Sequence, residues 1–469
     1  MNIKHQELEI DPQKPFANCK LERQKYADVL TDIVKAYPQG FTLAINNEWG
    51  TGKTTFVRMW QQQLKNEGFK TIYFNAWEND FENDPLVAIL SELDILTNKN
   101  NEKVYKNIAA KGAAISKHIL PVLAKAVVNK YLGSDLIADI ASESTKGITE
   151  LFEDEIKSYA NKKKSVVEFR AQLTEFVKPT DEGKAVIFII DELDRCRPDY
   201  AVKLLEHLKH FLTVPGIVFV LSIDKNHLSS SVRGFYGCDQ INTDEYLRRF
   251  IDLEYSIPRP TNKIFCEYLF KYYSLGDFIH SEQRKQYTEF NHDKSNILQM
   301  SEIIFDVTNA TLRQQEKIFA LTRLVLSSFQ SNQYIFAPLL FILVFIKVMK
   351  PEIYNKLDSG SISFQQLSDE FCQILPINAD KNYNFNFLYL LAHLLQFYSN
   401  TKEMETRLKL VETDESGNKS CQIKTAFERE QHSPVLAGYI LDLASQHRIR
   451  DVKIDYLLSK INLTTPISL

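Results

Sequence analysis

Residues 41–55 read Phe-Thr-Leu-Ala-Ile-Asn-Asn-Glu-Trp-Gly-Thr-Gly-Lys-Thr-Thr. An apolar run, Phe41 to Ile45, leads into Gly-Thr-Gly-Lys-Thr, and a helical pattern from Phe56 to Leu64 follows. Strand, glycine turn and helix start in that order gather backbone N–H groups and the positive end of a helix dipole around one point. A phosphate needs that arrangement. The stretch therefore predicts a nucleoside triphosphate site on an α/β fold. In the usual pattern G-x-x-x-x-G-K-[ST], counting back from Lys53 puts Asn47, not glycine, at the first position. Asparagine enters left-handed backbone space at modest cost, so the turn is expected to survive the exchange. Gly50 and Gly52 supply the tight turn, Lys53 reaches the β- and γ-phosphates, and the Thr54 hydroxyl ligates magnesium. Asn47, Glu48, Trp49, Thr51 and Thr55 complete the stretch expected to wrap the nucleotide. A glycine turn opening any βα unit would share part of this pattern.

A second stretch removes much of that ambiguity. Residues 184–194 read Lys-Ala-Val-Ile-Phe-Ile-Ile-Asp-Glu-Leu-Asp. The apolar run is rich in β-branched residues, as in a parallel strand buried on both faces. It ends in Asp191-Glu192, at the carboxyl edge where ligands of open α/β sheets bind. One carboxylate is wanted for the magnesium shell and a second to polarise the attacking water. Asp191 suits the first role and Glu192 the second, with Asp194 a competing base that spacing alone does not exclude. An acidic helix cap would also place Asp here.

The chain has 469 residues, enough for two or three domains. A net charge of −4 argues against the chain as a whole being a nucleic-acid binder. The cysteines, Cys19, Cys196, Cys238, Cys266, Cys372 and Cys421, form no C-x-x-C pair, which speaks against a zinc site or a secreted disulfide framework. Met1 to Glu9 is polar, so no signal peptide is expected. Tyr334 to Ile346 is too short to span a bilayer, which takes roughly 20 residues, and reads as a buried helix. Ala113 to Leu132 carries Lys117, His118, Lys125 and Lys130 and reads as an amphipathic helix. The expectation is a cytoplasmic chain without a transmembrane segment.

Working outward, helical periodicity runs through Leu21, Tyr26, Leu30 and Ile33 and stops before Pro38-Gln39-Gly40. Strands are expected at Phe41–Ile45, Thr71–Asn75, the run ending at Asp191, Gly216–Ile223 and Phe250–Ile257. Helical stretches separate them, which is the pattern of a doubly wound parallel sheet. Lys53 and Asp191 are 191 − 53 = 138 residues apart, so a helical insertion is expected at about 95–180, with a charged stretch from Glu153 to Lys164. After Pro260 no further strand run stands out. Asn262–Ser274, Ser301–Ser327, Tyr334–Val348 and Phe385–Tyr398 read as helices, and Glu412–Ser420 as a polar loop. The expected division is a nucleotide domain over 1–260, a helical lid over 261–330 and a C-terminal helical domain over 331–469.

The chain resembles the KAP family of P-loop NTPases, within the additional-strand branch of P-loop proteins. The resemblance rests on Glu48-Trp49-Gly50-Thr51-Gly52-Lys53-Thr54-Thr55, Phe74-Asn75-Ala76-Trp77-Glu78, Ile190-Asp191-Glu192-Leu193-Asp194-Arg195-Cys196 and Val220-Leu221-Ser222-Ile223-Asp224. Glu245-Tyr246-Leu247-Arg248-Arg249-Phe250 adds a weaker match. It covers roughly residues 15–320 and leaves the C-terminal third without a counterpart. The family implies a sheet order of 5-1-4-3-2 with an α-helical lid. It places the magnesium aspartate on Asp191, the adjacent acid on Glu192, and a sensor-like polar residue on Ser222 or Asp224. A lid arginine falls near Arg313, and Arg249 is a further candidate cation. Ordinary salt bridges would account for Arg195, Arg249 and Arg313 equally well. Two departures stand out: Asn47 replaces the first glycine, and the insertion, which carries transmembrane helices in many members, reads as soluble here.

The expected activity is magnesium-dependent ATP binding and hydrolysis, with GTP less favoured. Loop amides, Lys53 and magnesium would hold the triphosphate while Glu192 orients water. An arginine from a neighbouring subunit could complete the site, which would couple turnover to assembly as a homo-oligomer, and a protein partner or effector would receive the conformational change. The rival is a nucleotide-gated signalling scaffold with little turnover. A phosphotransferase with an acceptor other than water is a third class. The family includes signalling and phage-exclusion members, so a place in phage defence is implied by resemblance alone.

Overall fold

The computed structural model describes residues 9–82, 84–97, 101–115, 164–178, 183–211, 214–375, 381–402, 410–413, 415, 419–428, 434–447 and 450–463. Most of the expected insertion, residues 116–163 included, lies outside the described residues, and with it nearly all of Ala113–Leu132 and Glu153–Lys164.

Five parallel strands form one sheet: β1 (Thr42–Asn46), β2 (Thr71–Asn75), β3 (Val186–Asp191), β4 (Ile217–Ile223) and β5 (Leu253–Tyr255). Their order is β2-β3-β4-β1-β5, the 5-1-4-3-2 arrangement read from the other edge. Every residue of β3 and β4 is buried, which explains their uninterrupted β-branched and aromatic runs. The register sets the carboxyl ends level. Asn46 pairs with Ile223, Asp191 with Ser222, and Asn75 with Asp191. The polar tips of four strands therefore finish along one edge.

Each face has its own core. On one side α1 (Gln24–Ala36) and α2 (Lys53–Asn66) cover Leu43, Ile45, Ile187, Ile189, Val218 and Val220. Ala27, Leu30, Thr31 and Val34 make the buried stripe of α1 at helical spacing. Trp60 is fully buried on α2 and donates its indole N–H to the Thr31 hydroxyl at 2.9 Å, tying the two helices. The other face, with Phe188, Ile190, Phe219, Leu221 and Ile223, is covered by α3 (Pro85–Leu93), α4 (Glu102–Ile115), α5 (164–177) and α6 (Pro198–Phe211). Alternation along β3 and β4 decides which side chains join which core, and each fully buried side chain contributes roughly 1.5–3 kcal/mol. Asp191 shares its face with Ile187 and Ile189, so its carboxylate lies on the α2 side. Between β4 and β5 run α7 (Lys225–Tyr236) and the short α8 (Thr243–Leu247).

The chain divides into two compact units, Lys4–Arg259 around the sheet and a helical unit from Pro260 onward. The second contains α9 (Asn262–Tyr272), α10 (Gly276–Ile279), α11 (Asp293–Thr308), α12 (Leu312–Leu326), α13 (Ala337–Met349), α14 (Pro351–Asp358), α15 (Phe364–Ile374) and α16 (Lys381–Ser399). It closes with α17 (Pro434–Ser445) and α18 (Asp455–Ile461). The single helix expected over Ser301–Ser327 is two: Asn309, at φ 50°, ends α11, and Thr311 opens α12 through a capping box with Gln314. Apolar on nearly every side, α13 packs against α11, α12, α14 and α16. No helix among the described residues is long and apolar enough to cross a membrane. The expectation of no strand after Pro260 fails at Val411–Thr413 and Lys419–Cys421, which pair antiparallel as β6 and β7. Three residues apiece are too few for alternation to show in sequence.

Two buried polar groups mark this unit. Arg284, with no exposed surface, donates to the Ser331 and Gln333 carbonyls at 3.1 and 2.9 Å and pairs with Asp293 at 2.6 Å. Its guanidinium lies 3.9 Å from the Phe290 ring centre. His393 on α16 is nine-tenths buried with Nδ1 3.1 Å from the Tyr389 carbonyl, and burial pushes its pKa down to about 4.

Candidate functional site

The loop between β1 and α2 turns through Gly50 and Gly52, both at φ 78°. A side chain at Gly52 would be strained by that φ, and its Cβ would come within 2.9 Å of Arg23 Nη1. The Phe56 N–H bonds to the Gly52 carbonyl at 3.1 Å and begins the helical ladder. The N–H groups of Lys53, Thr54 and Thr55 are thereby left without an intrahelical acceptor at the start of α2. The Lys53 ammonium donates to the carbonyls of Asn47 and Glu48. Burial lowers its proton affinity, and Asp194, Asp224 and Asp191 oppose that shift.

The expected left-handed turn at Asn47 does not occur, since its φ is not positive. The Asn47 carboxamide instead pairs with one residue beyond β5. Its Nδ2 donates to the Ile257 carbonyl at 2.8 Å and its Oδ1 accepts the Ile257 N–H at 2.9 Å. Asn47 N–H bonds to the Ile223 carbonyl at 3.1 Å. The loop entrance is thus fastened to both neighbouring strands. Glu48 pairs with Arg259, and its carbonyl also accepts the Thr51 hydroxyl at 2.8 Å.

The acids gather at the level of the loop. Asp191 is buried and accepts from the Tyr73 hydroxyl at 2.9 Å and from the Glu192 N–H at 3.0 Å. Burial and the neighbouring Asp191 raise the Tyr73 pKa, so its proton stays on that bond. Glu192 sits at φ 61°, a left-handed conformation that costs a non-glycine residue on the order of 1–3 kcal/mol. Its carboxylate pairs with Arg195 at 2.8 Å and accepts from Asn75 at 3.5 Å. Burial raises the Glu192 pKa, Asp191 and Asp194 add to the rise, and Arg195 and Asn75 offset part of it. Asp194 accepts the Trp49 indole N–H, and burial raises its pKa against the Trp49 bond and the Lys53 charge. The Trp49 ring stacks on His227 at 3.7 Å between centres. Arg195 stands 5.8 Å from both the Trp49 and the Trp77 rings.

Three contributors went unread in the sequence. Arg23 reaches the loop carbonyls from just before α1, Tyr73 holds Asp191, and Asn75 holds Glu192. Only Asn75 lay inside a quoted motif, and nothing there assigned it a contact. Asp224 caps α7, accepting from Asn226 N–H at 3.1 Å and His227 N–H at 3.4 Å. Ser222 is fully buried beside Asp191. Arg249 is exposed, three residues before Asp252, whose carboxylate accepts the Thr42 N–H at the amino end of β1. It makes no side-chain contact with the loop among the described residues. Arg313 is exposed on the first turn of α12, in the helical unit.

The residues at this edge fit a nucleotide and magnesium. Ser222 Oγ and Asp194 Oδ1 are both buried and without a hydrogen-bond partner, a cost that a bound polar group would remove. Among the described residues no three His, Cys, Asp or Glu side chains cluster as a metal site. Magnesium shared with phosphates needs no such cluster, because it takes one or two protein oxygens and keeps several waters. The Thr54 hydroxyl and the Asp191 carboxylate are oxygen donors of that kind.

No curated protein matches the chain in sequence. Among solved structures it is similar to the ORC2 protein of Aeropyrum pernix in ADPNP–ADP complexes, with 14% identity and a TM-score of 0.34 over 93% of this chain and 97% of that one. It is also similar to Drosophila ORC bound to DNA, with 12% identity and a TM-score of 0.31 over 96% and 87% of the two chains. A DNA replication initiation factor gives 9% identity and a TM-score of 0.29 over 83% and 98%. Residues 23–326 match the KAP family P-loop domain. That match spans about two thirds of the 469 residues, starts at Arg23 and takes in both the loop and the acids, so the chain belongs to the KAP family of P-loop domains.

Proposed function

We propose that this chain is a magnesium-dependent ATPase whose nucleotide state drives a conformational change or assembly. One observation carries the reading. The glycine turn presents the acceptor-free N–H groups of Lys53, Thr54 and Thr55 at the same sheet edge as Asp191 and Glu192. In the bound state these N–H groups cradle the phosphates, and Lys53 exchanges its two carbonyl contacts for phosphate oxygens. Thr54 and Asp191 hold magnesium, which neutralises phosphate charge when bound. Glu192 orients the attacking water, and its raised pKa makes it a stronger proton acceptor than an ordinary carboxylate. By family resemblance we assign the output to phage defence, tested by plating efficiency on cells carrying the wild-type chain or Lys53→Ala.

Phosphate release and calorimetry test the core of this reading. Lys53→Ala is expected to abolish ATP binding. Glu192→Gln is expected to keep binding while turnover falls about 10²- to 10⁴-fold. Full turnover in Glu192→Gln together with loss in Asp194→Asn would move the base to Asp194. A nucleotide-gated scaffold with little turnover is the second reading. The ties from Glu192 to Arg195 and Asn75 favour it, since they hold that carboxylate in place. Nucleotide-dependent oligomers with negligible phosphate release would select it.

A further inference from the structure

Arg23 stands just before α1 with only 5% of its surface exposed. Its guanidinium donates from Nη2 to the Thr51 carbonyl at 2.6 Å and from Nη1 to the Gly52 carbonyl at 3.1 Å. Its Nε is buried and has no acceptor. Among the described residues no carboxylate forms an ion pair with it. Burial lowers its proton affinity, yet a guanidinium stays charged in proteins. Buried charges are ordinarily paired, because leaving one unpaired costs several kcal/mol. An unpaired buried cation therefore needs a reason.

The peptide geometry supplies one. The Thr51 carbonyl shares its peptide unit with the Gly52 N–H, and the Gly52 carbonyl shares its unit with the Lys53 N–H. In a trans peptide the C=O and N–H point in opposite directions. A guanidinium that takes both carbonyls from behind turns both N–H groups toward the far side, where the phosphates would lie. We propose that Arg23 is a positioning residue that aims the Gly52 and Lys53 N–H groups, and that its unpaired charge is balanced by the bound polyphosphate. This rests on the nucleotide reading above and adds to it a cation outside the loop. A positive charge one peptide unit from the phosphates, on the order of 8 Å away, changes affinity by roughly 10- to 100-fold at a partly buried site.

The test uses the full chain and three substitutions, Arg23→Lys, Arg23→Gln and Arg23→Met, titrated calorimetrically with ATP and ADP in magnesium. Arg23→Met and Arg23→Gln are expected to bind both nucleotides about 10- to 100-fold more weakly, and Arg23→Lys to recover most of the loss. KM should rise while kcat changes little, because the cradle holds ground and transition states alike. Arg23→Gln keeps an amide donor for the Thr51 carbonyl, so it carries the comparison if Arg23→Met does not fold. A purely structural role would instead lower melting temperature and affinity together in all three. That result overturns the inference, as does ATP binding by Arg23→Gln equal to wild type, or an Arg23→Lys no better than Arg23→Gln. A wild-type chain that binds no ATP overturns the nucleotide reading itself, which is a separate outcome.

Discussion

Replacing Asn47 with glycine would restore the residue usual at the first loop position, and we expect it to damage the protein. The carboxamide makes two hydrogen bonds to the Ile257 main chain, at 2.8 and 2.9 Å. Each is worth about 1 kcal/mol net, and Asn47→Gly strands an N–H and a carbonyl on a residue only 4% exposed. Glycine adds about 0.5–1 kcal/mol of backbone entropy. The sum is about 2–3 kcal/mol, concentrated where β5 leads out of the sheet. Hydrogen exchange followed by mass spectrometry reads it locally. The peptide containing Ile257 should exchange about 30- to 150-fold faster, while peptides from β3 stay protected. ATP affinity should fall by no more than about threefold, because the side chain is spent on Ile257 and the Asn47 N–H still has the Ile223 carbonyl. Unchanged exchange at Ile257 would refute the fastening. A large affinity loss with unchanged exchange would mean that the Asn47 side chain contacts nucleotide directly.

Arg195→Ala should move the acidic limb of the kcat profile to higher pH. Arg195 is the largest influence holding the Glu192 pKa down, and in the proposed base role the unprotonated carboxylate would be the active form. His393 has a folded pKa of about 4 against an ordinary 6.5, so the folded state binds fewer protons than the unfolded one. Its contribution is present above pH 6.5 and is lost as pH falls toward 4, a total of about 3 kcal/mol; melting curves of wild type and His393→Gln should converge over that window. Asp293→Ala leaves the buried Arg284 guanidinium without its anion and should cost about 3–5 kcal/mol by urea denaturation, with Asp293→Leu/Arg284→Met recovering most of it.

The strands were legible because burial on both faces leaves a strong mark. Thr71–Asn75 is read to the residue, and Val186–Asp191 and Ile217–Ile223 nearly so. The edge strand shrank from the expected Phe250–Ile257 to Leu253–Tyr255, because apolar residues at 250 and 257 serve the core without pairing. The loop was legible because glycine spacing and a lysine at the helix start are local. Contacts that cross the chain leave no such mark. Arg23 meets the loop 28 and 29 residues away, and Tyr73 meets Asp191 over 118. The reason for Asn47 was misread for the same cause: its partner, Ile257, is 210 residues distant, so a local backbone rationale was the only one in reach.

The strand order also sets a timetable for biogenesis. The strand that carries the loop sits between β4 and β5, and its first neighbour, β4, begins 171 residues later (217 − 46). At about 5–20 residues per second a ribosome needs roughly 10–35 s to make that span. Thr42–Asn46 has no neighbouring strand throughout it, and Thr71–Asn75 has none until β3 is made at Asp191, so both apolar segments are exposed meanwhile to aggregation or to chaperones. The clasp on Ile257 comes later still. ATP therefore cannot act as a folding ligand on the early nascent chain, and truncations ending before β4 should be degraded or held by chaperones whatever the nucleotide supply.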